Sequence, residues 1–577
     1  MKVLKVSYNA CFRVSKESIL GLKGGNPFKI RAYYNAARAL ETLDEDIEVL
    51  VRNNKLKEVK GIGEAINKKI TELITTGRLE YYDNLKASIP ESLVEMLKIP
   101  GLGPKKIKTL YDKLDIKNVG ELEYACLENR LVELPGFGEK TQKKILEGIK
   151  FVKRFSNQHL FSEAYSEANL LKQYLLKTGL VIRCEIAGSI RRKKEIVKDI
   201  DILATTDNPQ KLMESFVEYE KTKDVIVRGD TKTSITLGSG INADLRVVKD
   251  EEYPYALHHF TGSKEHNTTM RHRAKRMGIK MNEYGLFKGD TLIKCQDEEE
   301  IFRKLNLSYI PPEIRENMGE IEAAEKGEIP VLVEQKDIKG VFYVHTNYSD
   351  GANTLTEMVN GARELGYKYI GITDHSKSAR YAHGLKEEDI LRQFDEIDRL
   401  NEKYSDIKIL KGIESDILKD GSLDYEEDLL KKFDFVIASV HSNFKMSKEE
   451  MTERIIKAVK SKYTKILGHV TGRLLLSRDG YDLDIYKVID TCAEYDKIIE
   501  INSNPHRLDI DWRYIKYAKE KGVKLAICPD AHRVEGLQDV KYGVGIARKG
   551  WFEAKDVINT YDVDQVYEIF KQKCNII

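Results

Sequence analysis

No stretch of this chain is long and apolar enough to read as a membrane span, and Met1 to Leu22 carries charges throughout with no continuous apolar centre. A signal peptide and a membrane partner are therefore not expected, and the chain is expected to stay in the cytoplasm. Cysteine is scarce and unpatterned. The seven present (Cys11, Cys126, Cys184, Cys295, Cys492, Cys528, Cys574) are scattered, odd in number and without a CxxC pair. That argues against a disulfide framework and against cysteine zinc sites, and leaves them as small core hydrophobes. A large net charge is missing too, at +2 overall, yet the balance hides a gradient: residues 1–150 hold 27 Lys+Arg against 21 Asp+Glu, and residues 331–577 hold 39 against 43. A basic front fits phosphate contacts early in the chain, and an acidic rear fits metal-binding carboxylates. With 577 residues the chain exceeds what one core can organise, so three or four domains are expected.

Chemistry gathers first in Gly188-Ser189-Ile190-Arg191-Arg192 and the β-prone run Asp199-Ile200-Asp201-Ile202-Leu203. A strand sends residues i and i+2 to one face, so Asp199 and Asp201 point at one spot. Such a pair needs cations, and oxygen ligands on a rigid strand suit two Mg2+ ions that clamp a phosphoryl transfer. Asp244, in strand-like Ile241 to Val248, is the candidate third carboxylate. Gly188 and Ser189 offer backbone amides and a hydroxyl, and Arg192 offers a planar fork for phosphate oxygens. Alone, an acid-x-acid strand is more often a solvated edge; the preceding Gly-Ser-x-Arg-Arg favours a triphosphate cradle facing a two-metal site.

This arrangement resembles the nucleotidyltransferase superfamily, and Phe260-Thr261-Gly262-Ser263-Lys264-Glu265-His266-Asn267 is similar to the nucleotide-pocket signature of family X DNA polymerases. The resemblance implies attack of a primer 3′-hydroxyl on the α-phosphate of a dNTP. Asp199 and Asp201 would bridge two Mg2+ (or Mn2+) ions, Asp244 would hold the ion that activates the hydroxyl, and Ser189 and Arg192 would hold the outgoing phosphates. His259, Phe260 and Gly262 would line the nucleotide pocket, with Asn267 and Arg271 facing the minor-groove side of the nascent pair. His259 stands where the family usually has tyrosine. The acidic run Asp297 to Glu300 reads as a solvated helix start, and Tyr309 to Arg315 resembles the end of the family's thumb.

Earlier in the chain one device occurs three times. Gly61-Ile62-Gly63, Gly101-Leu102-Gly103 and Gly136-Phe137-Gly138 each follow an apolar helix end and precede a lysine-bearing helix. One such tripeptide reads as a helix C-cap. Three at near-regular spacing read as helix-hairpin-helix modules whose backbone approaches phosphate without reading bases. The first departs slightly, with Lys60 where Pro100 and Pro135 precede the others. Residues 26–40 are similar to the family's first-domain motif, which implies a 5′-phosphate contact for Lys29. The family resemblance also aligns Lys69 with a lysine that forms a Schiff base with 5′-deoxyribose phosphate. Its plainer reading is a solvated phosphate-binding lysine.

Beyond residue 330, short apolar strands alternate with helices, and polar residues collect where strands stop: His345, Asp374-His375, Glu414 and Asp416, His441, His469, Asn502, Asp530 and His532. That is the C-terminal rim of a β/α barrel. Histidines and carboxylates gathered there call for metals. These motifs resemble the polymerase and histidinol phosphatase (PHP) domain, which implies Mn2+ or Zn2+ held by His345, Asp350, His375, Glu414, His441, His469, Asp530 and His532. The first histidine of the domain's His-x-His opening is replaced by Tyr343, so one of three metals would lose a ligand.

The expected architecture is multidomain: an α-helical helix-hairpin-helix region, an α+β nucleotidyltransferase palm and thumb, and a C-terminal α/β (β/α)7-like PHP barrel. The expected boundaries are a lyase-like DNA-binding domain over 1–90, helix-hairpin-helix fingers over 91–150, palm over 151–250, thumb over 251–318, linker over 319–338 and barrel over 339–577. The expected activity is gap filling on gapped or primed DNA with dNTPs, by a monomer, with a 3′-5′ exonuclease or phosphoesterase in the barrel that Tyr343 weakens. Two rivals stand beside it: the barrel as the main activity, and a non-catalytic DNA-end binding protein.

Overall fold

Ile66 and Ile70, Ile107 and Leu110, and Ile145 and Ile149 recur at helical spacing, and in the computed structural model they close on one core with Leu50, Met96 and Leu122. The structure describes residues 47–571 apart from 54, 60, 61, 77–90, 98, 100, 133 and 154–157. That core belongs to a helical unit which, apart from Glu128–Arg130, ends at Lys153. Its helices include Glu64–Thr76, Pro104–Leu114 and Glu139–Lys153. Ile62, Leu102 and Phe137, the middle residues of the three hairpins, are buried in the core, so each hairpin is pinned by its apolar residue.

The remaining unit begins with the palm, whose strands are β1 (Arg183–Ile186), β2 (Asp199–Thr205), β3 (Thr222–Val227), β4 (Lys232–Leu237) and β5 (Asn242–Val248). They form one sheet in the order β1-β2-β5-β4-β3. Alternation sends Ile200 and Ile202 of β2, and Ala243 and Leu245 of β5, into a core shared with the helix Phe161–Lys177. The opposite face carries the acids. β2 and β5 run parallel with Asp201 opposite Asp244.

The thumb follows, with helices Tyr253–Thr261 and Lys264–Arg276, a three-stranded antiparallel sheet over 280–293, and the helix Glu298–Lys304. Residues 319–338, read as a linker, contain the helix Glu320–Lys326, whose Ile321 and Ala324 join the thumb core.

Seven parallel strands then run in chain order: β6 (Gly340–Val344), β7 (Tyr369–Ile372), β8 (Lys408–Asp416), β9 (Phe435–Ser439), β10 (Thr464–Leu467), β11 (Ile498–Asn502) and β12 (Leu525–Cys528). Helices cover their outer face, which is why these strands read as continuous apolar runs. The His345 amide donates to the Ala531 carbonyl at 2.9 Å and the Ala531 amide to the Tyr343 carbonyl at 3.1 Å, so the first strand meets the chain just beyond the last and the barrel nearly closes. Phe342, Phe435 and Ile466 fill its interior, and Phe570 stacks on Phe435 at 5.1 Å. No helix among the described residues is long and apolar enough to cross a membrane.

Candidate active sites

Asp199, Asp201 and Asp244 share one face of adjacent strands, and the environment penalises the charges of Asp199 and Asp201. Burial, with Asp199 and Asp244 close by, pushes the Asp201 carboxyl up to about 6. Asp199, at the exposed start of β2, is raised as well, by partial desolvation and by Asp244. Lys232 of β4 sets its ammonium 2.6 Å from Asp244 Oδ2. Three carboxylates crowded on one face, with the Asp201 charge disfavoured by both neighbours, are an all-oxygen donor set that a hard divalent cation relieves, so the three residues fit metal ligation.

The loop beside them is tied to the same strand, since the Ala187 amide donates to the Asp201 carbonyl at 2.8 Å. Gly188 has φ +60°, and a Cβ there would run into the Asp201 carboxylate, so only glycine allows the loop to pass this close. Arg192 turns toward the thumb: Nε donates to Glu316 Oε1 at 3.2 Å and Nη1 donates to the Thr261 carbonyl. The cradle and the Phe260–Asn267 motif are thereby brought together. In that motif Gly262 takes φ +72° and Ser263 caps the helix Lys264–Arg276. Arg246 lies over the Phe260 ring at 4.4 Å. Asn267 Nδ2 donates to the His259 carbonyl at 2.7 Å, while its buried Oδ1 has no hydrogen-bond partner. Burial lowers the His259 imidazole pKa. Arg271 is exposed, whereas Arg273 on the same basic helix is buried against the Leu305 and Asn306 carbonyls.

Glu298 corrects the reading of its acidic run. Asp297 caps the helix as expected, but Glu298 is buried between Arg191 (Nη2 to Oε2, 2.5 Å) and Arg315 (Nη1 to Oε1, 2.6 Å). Although burial opposes it, Arg315 and Arg191 hold the Glu298 carboxyl down at about 2. The signal was present: Glu298 stands three and four residues before Ile301 and Phe302, on the apolar face of its helix.

At the barrel rim, Nε2 of His345 lies 3.1 Å from Asp530 Oδ1, and Nε2 of His375 and His532 lie 3.6 and 3.4 Å from Asp350 Oδ1. Nε2 of His441 and His469 approach Glu414 Oε1 at 2.9 and 3.2 Å. Two sets of donor atoms converge: His345, Asp350, His375 and His532, and His375, Glu414 and His441. Although His375 Nδ1 lies 2.8 Å from Glu414 Oε2, neither atom has a hydrogen-bond partner, nor do His345 Nδ1, Asp350 Oδ2 and His532 Nε2. Buried groups that crowd without bonding one another are aimed at something between them, and a metal fits. The carboxylates push three imidazoles up against the effect of burial, His375 and, to about 10 each, His441 and His532; burial and Arg507 lower His469, and Glu414 is held far below its usual range by His375 and His441.

Tyr343 is fully buried with φ +66°; its phenol donates to Glu414 Oε1 and lies 3.0 Å from Ser439 Oγ. Two residues that the ligand set passed over have outer roles. Asp416 bonds His441 Nδ1, and Asp374 gathers Thr346, Ser349 and Gln393, fixing the loop that carries Asp350.

In the helical unit, Gly101 and Gly136 have φ of +82° and +87°, while Gly63, Gly103 and Gly138 have no positive φ and nothing within 4 Å of an added Cβ. The fold itself does not require glycine at those three exposed positions. Lys69 is half-buried on the helix Glu64–Thr76. Lys29 and Gly61 lie outside the described residues.

Four segments match known domain families: residues 16–79 a helix-hairpin-helix domain, 93–150 a SAM-like helix-hairpin-helix tandem, 256–316 the DNA polymerase beta thumb, and 342–504 the PHP domain. The chain is 39% identical over 555 residues to the DNA polymerase/3′-5′ exonuclease PolX of Bacillus subtilis, covering 96% of each protein. Over 243 residues, 40% of this chain and 94% of the relative, it is 35% identical to a probable phosphatase of Thermoanaerobacter. A probable phosphatase of Caldanaerobacter subterraneus is 32% identical over 246 residues, 40% of this chain and 92% of that relative.

Proposed function

This chain belongs to the family X DNA polymerases that carry a C-terminal PHP domain, and from that membership we propose a DNA polymerase that fills short gaps in repair, with a metal-dependent 3′-5′ exonuclease or phosphoesterase in its barrel. The observation that carries the reading is the register of Asp201 against Asp244, with Asp199 on the same face and the Gly188–Arg192 loop tied to that strand. In the proposed reaction the primer 3′-hydroxyl attacks the α-phosphate of a dNTP and pyrophosphate leaves. Asp199, Asp201 and Asp244 would hold Mg2+ or Mn2+, which supplies Lewis-acid stabilisation of the transferring phosphoryl group and lowers the pKa of the attacking hydroxyl. Gly188, Ser189 and Arg192 would bind the outgoing phosphates. Phe260, Gly262 and His259 would seat the nucleotide, and Asn267, whose Oδ1 is buried without a partner, and Arg271 would face the minor-groove edge.

The glycines of the hairpins support phosphate-backbone contacts without base readout. Lys69 remains a proposed Schiff-base lysine. For the barrel, Mn2+ or Zn2+ on the converging histidines and carboxylates suits phosphodiester hydrolysis, and its likeness to probable phosphatases favours the same chemistry. One chain supplies every residue of this scheme, so a cytoplasmic monomer suffices. Incubation of singly gapped DNA with one matching dNTP and Mg2+ separates the readings: extension by one nucleotide supports the proposal, shortening alone makes the barrel the main activity, and retention of the DNA unchanged points to a binding protein.

A further inference from the structure

We propose that Lys549, which comes from the barrel, is a positioning residue of the polymerase site and sets how freely Arg192 engages the nucleotide phosphates. Lys549 ends the helix Val540–Lys549 and is 2% exposed. Its ammonium donates to the Arg192 carbonyl at 2.8 Å, the Glu313 carbonyl at 3.1 Å and Glu316 Oε1 at 2.8 Å. An ammonium has three protons, and all three are used. The acceptors come from the palm cradle and from the last turns of the thumb, so one barrel side chain joins both halves of the nucleotide site.

The surrounding contacts repeat the pattern. Trp512, whose ring lies 4.4 Å from the Lys549 ammonium, donates from Nε1 to Glu195 Oε2 at 3.1 Å. Arg513 reaches Glu195 Oε1 at 3.2 Å, and Arg548 donates to Glu313 Oε1 at 2.8 Å. The barrel therefore grips the cradle loop at residues 192 and 195 and the thumb at 313 and 316.

A domain junction needing only adhesion would be served as well by apolar residues, since burying an ammonium is expensive even when it is paired. What the charge adds is electrostatic. Glu316 Oε1 accepts from both Lys549 and Arg192 Nε, while Arg192 Nη2 makes no hydrogen bond among the described residues. Lys194 stands farther off, 3.9 Å from Glu316 Oε2. A carboxylate shared between cations holds each less tightly than it would hold one alone. With Lys549 present, a triphosphate competes for the Arg192 guanidinium against a half-neutralised rival. Without it, Glu316 clamps Arg192, and the guanidinium is less free to meet the phosphates.

This inference rests on the reading of Arg192 as a phosphate ligand, and its test separates the two. Equilibrium binding of the matching dNTP is measured on the full chain with gapped DNA carrying a dideoxy-terminated primer, for Lys549→Met, Arg192→Ala and the double variant. DNA affinity and the thermal unfolding midpoint are recorded beside it. Lys549→Met is expected to weaken dNTP binding roughly tenfold, the lower end of what outer-shell partners contribute. DNA affinity should stay within about twofold, and the double variant should be no weaker than Arg192→Ala, because Lys549 acts through Arg192. Unchanged dNTP affinity in Lys549→Met, or losses that add in the double variant, overturns the role of Lys549. Unchanged affinity in Arg192→Ala overturns the reading beneath it. Should Lys549→Met lower the unfolding midpoint, Lys549→Gln, which keeps two donors without the charge, carries the same expectations.

Discussion

Replacing Tyr343 with histidine should improve the barrel as a metal site, and the structure sets the size of the effect and its control. Burial and the Glu414 carboxylate push the Tyr343 phenol far above its ordinary pKa, so it stays a neutral donor. It occupies a lone pair of Glu414 Oε1, which His441 and His469 also approach at 2.9 and 3.2 Å. A donor therefore stands where an imidazole would accept a metal bond. Tyr343→Phe removes the hydrogen bond and adds nothing; a hydrogen bond to a charged group is worth about 2 kcal/mol, or roughly 4–8 °C in the unfolding of a barrel of this size. Tyr343→His loses the same bond and some packing but supplies a neutral nitrogen, for which at least about a tenfold gain in metal affinity is expected. The assay is Mn2+ content after dialysis against limiting metal, together with degradation of a 3′-labelled single strand. Metal occupancy and degradation should rise in Tyr343→His and not in Tyr343→Phe. Robust degradation by the unmodified chain would rule out a weakened site, and equal gains in both variants would credit the release of Glu414 rather than the new nitrogen.

Four other expectations follow from the palm and the hairpins. Because Asp201 must lose a proton held to about pH 6 before it can ligate, the apparent metal affinity for nucleotide addition should fall about tenfold per pH unit below that value and level off above it. The same raised pKa means that the folded chain binds more protons than the unfolded one between pH 3.8 and about 6, so stability without metal should decline as pH rises through that window. A metal dependence unchanged from pH 5 to 8 would contradict the first statement, and metal-free stability that does not fall between about pH 4 and 6 the second. Gly188→Ala places a Cβ against the Asp201 carboxylate at φ +60° and should lower single-nucleotide addition about a hundredfold or more with DNA affinity retained, checked by rapid-quench kinetics beside a binding titration. Affinity for gapped DNA should drop roughly a hundredfold between about 50 and 200 mM salt if four phosphates are held, and should not depend on the flanking sequence; a preference among flanks at fixed salt would count against the hairpins.

Local periodicity made part of this architecture legible. A period of two puts Asp199 and Asp201 on one face wherever a strand forms, and the barrel announces itself because each strand stops at a polar residue. The middle residues of the hairpins are legible for the same reason, being the apolar positions between glycines. Pairings set by distant chain segments were not legible. The helical spacing of Glu298 from Ile301 and Phe302 marks its inward face, but its partners Arg191 and Arg315, 107 and 17 residues away, are not written there. Lys549 looks like the basic end of an amphipathic helix and shows its role only against Arg192, 357 residues earlier. Lys232 beside Asp244 depends on β4 pairing with β5, which a strand pattern alone does not specify.

Everything proposed for the polymerase site depends on Asp199, Asp201 and Asp244 forming the centre that adds nucleotides. Single-turnover addition of one dNTP to gapped DNA by Asp201→Ala, with DNA affinity titrated on the same preparation, tests it most directly. Addition should be abolished while DNA affinity changes little, because the hairpins proposed to hold the backbone lie in the separate helical unit. Extension by Asp201→Ala at a rate comparable to the unmodified chain would contradict it.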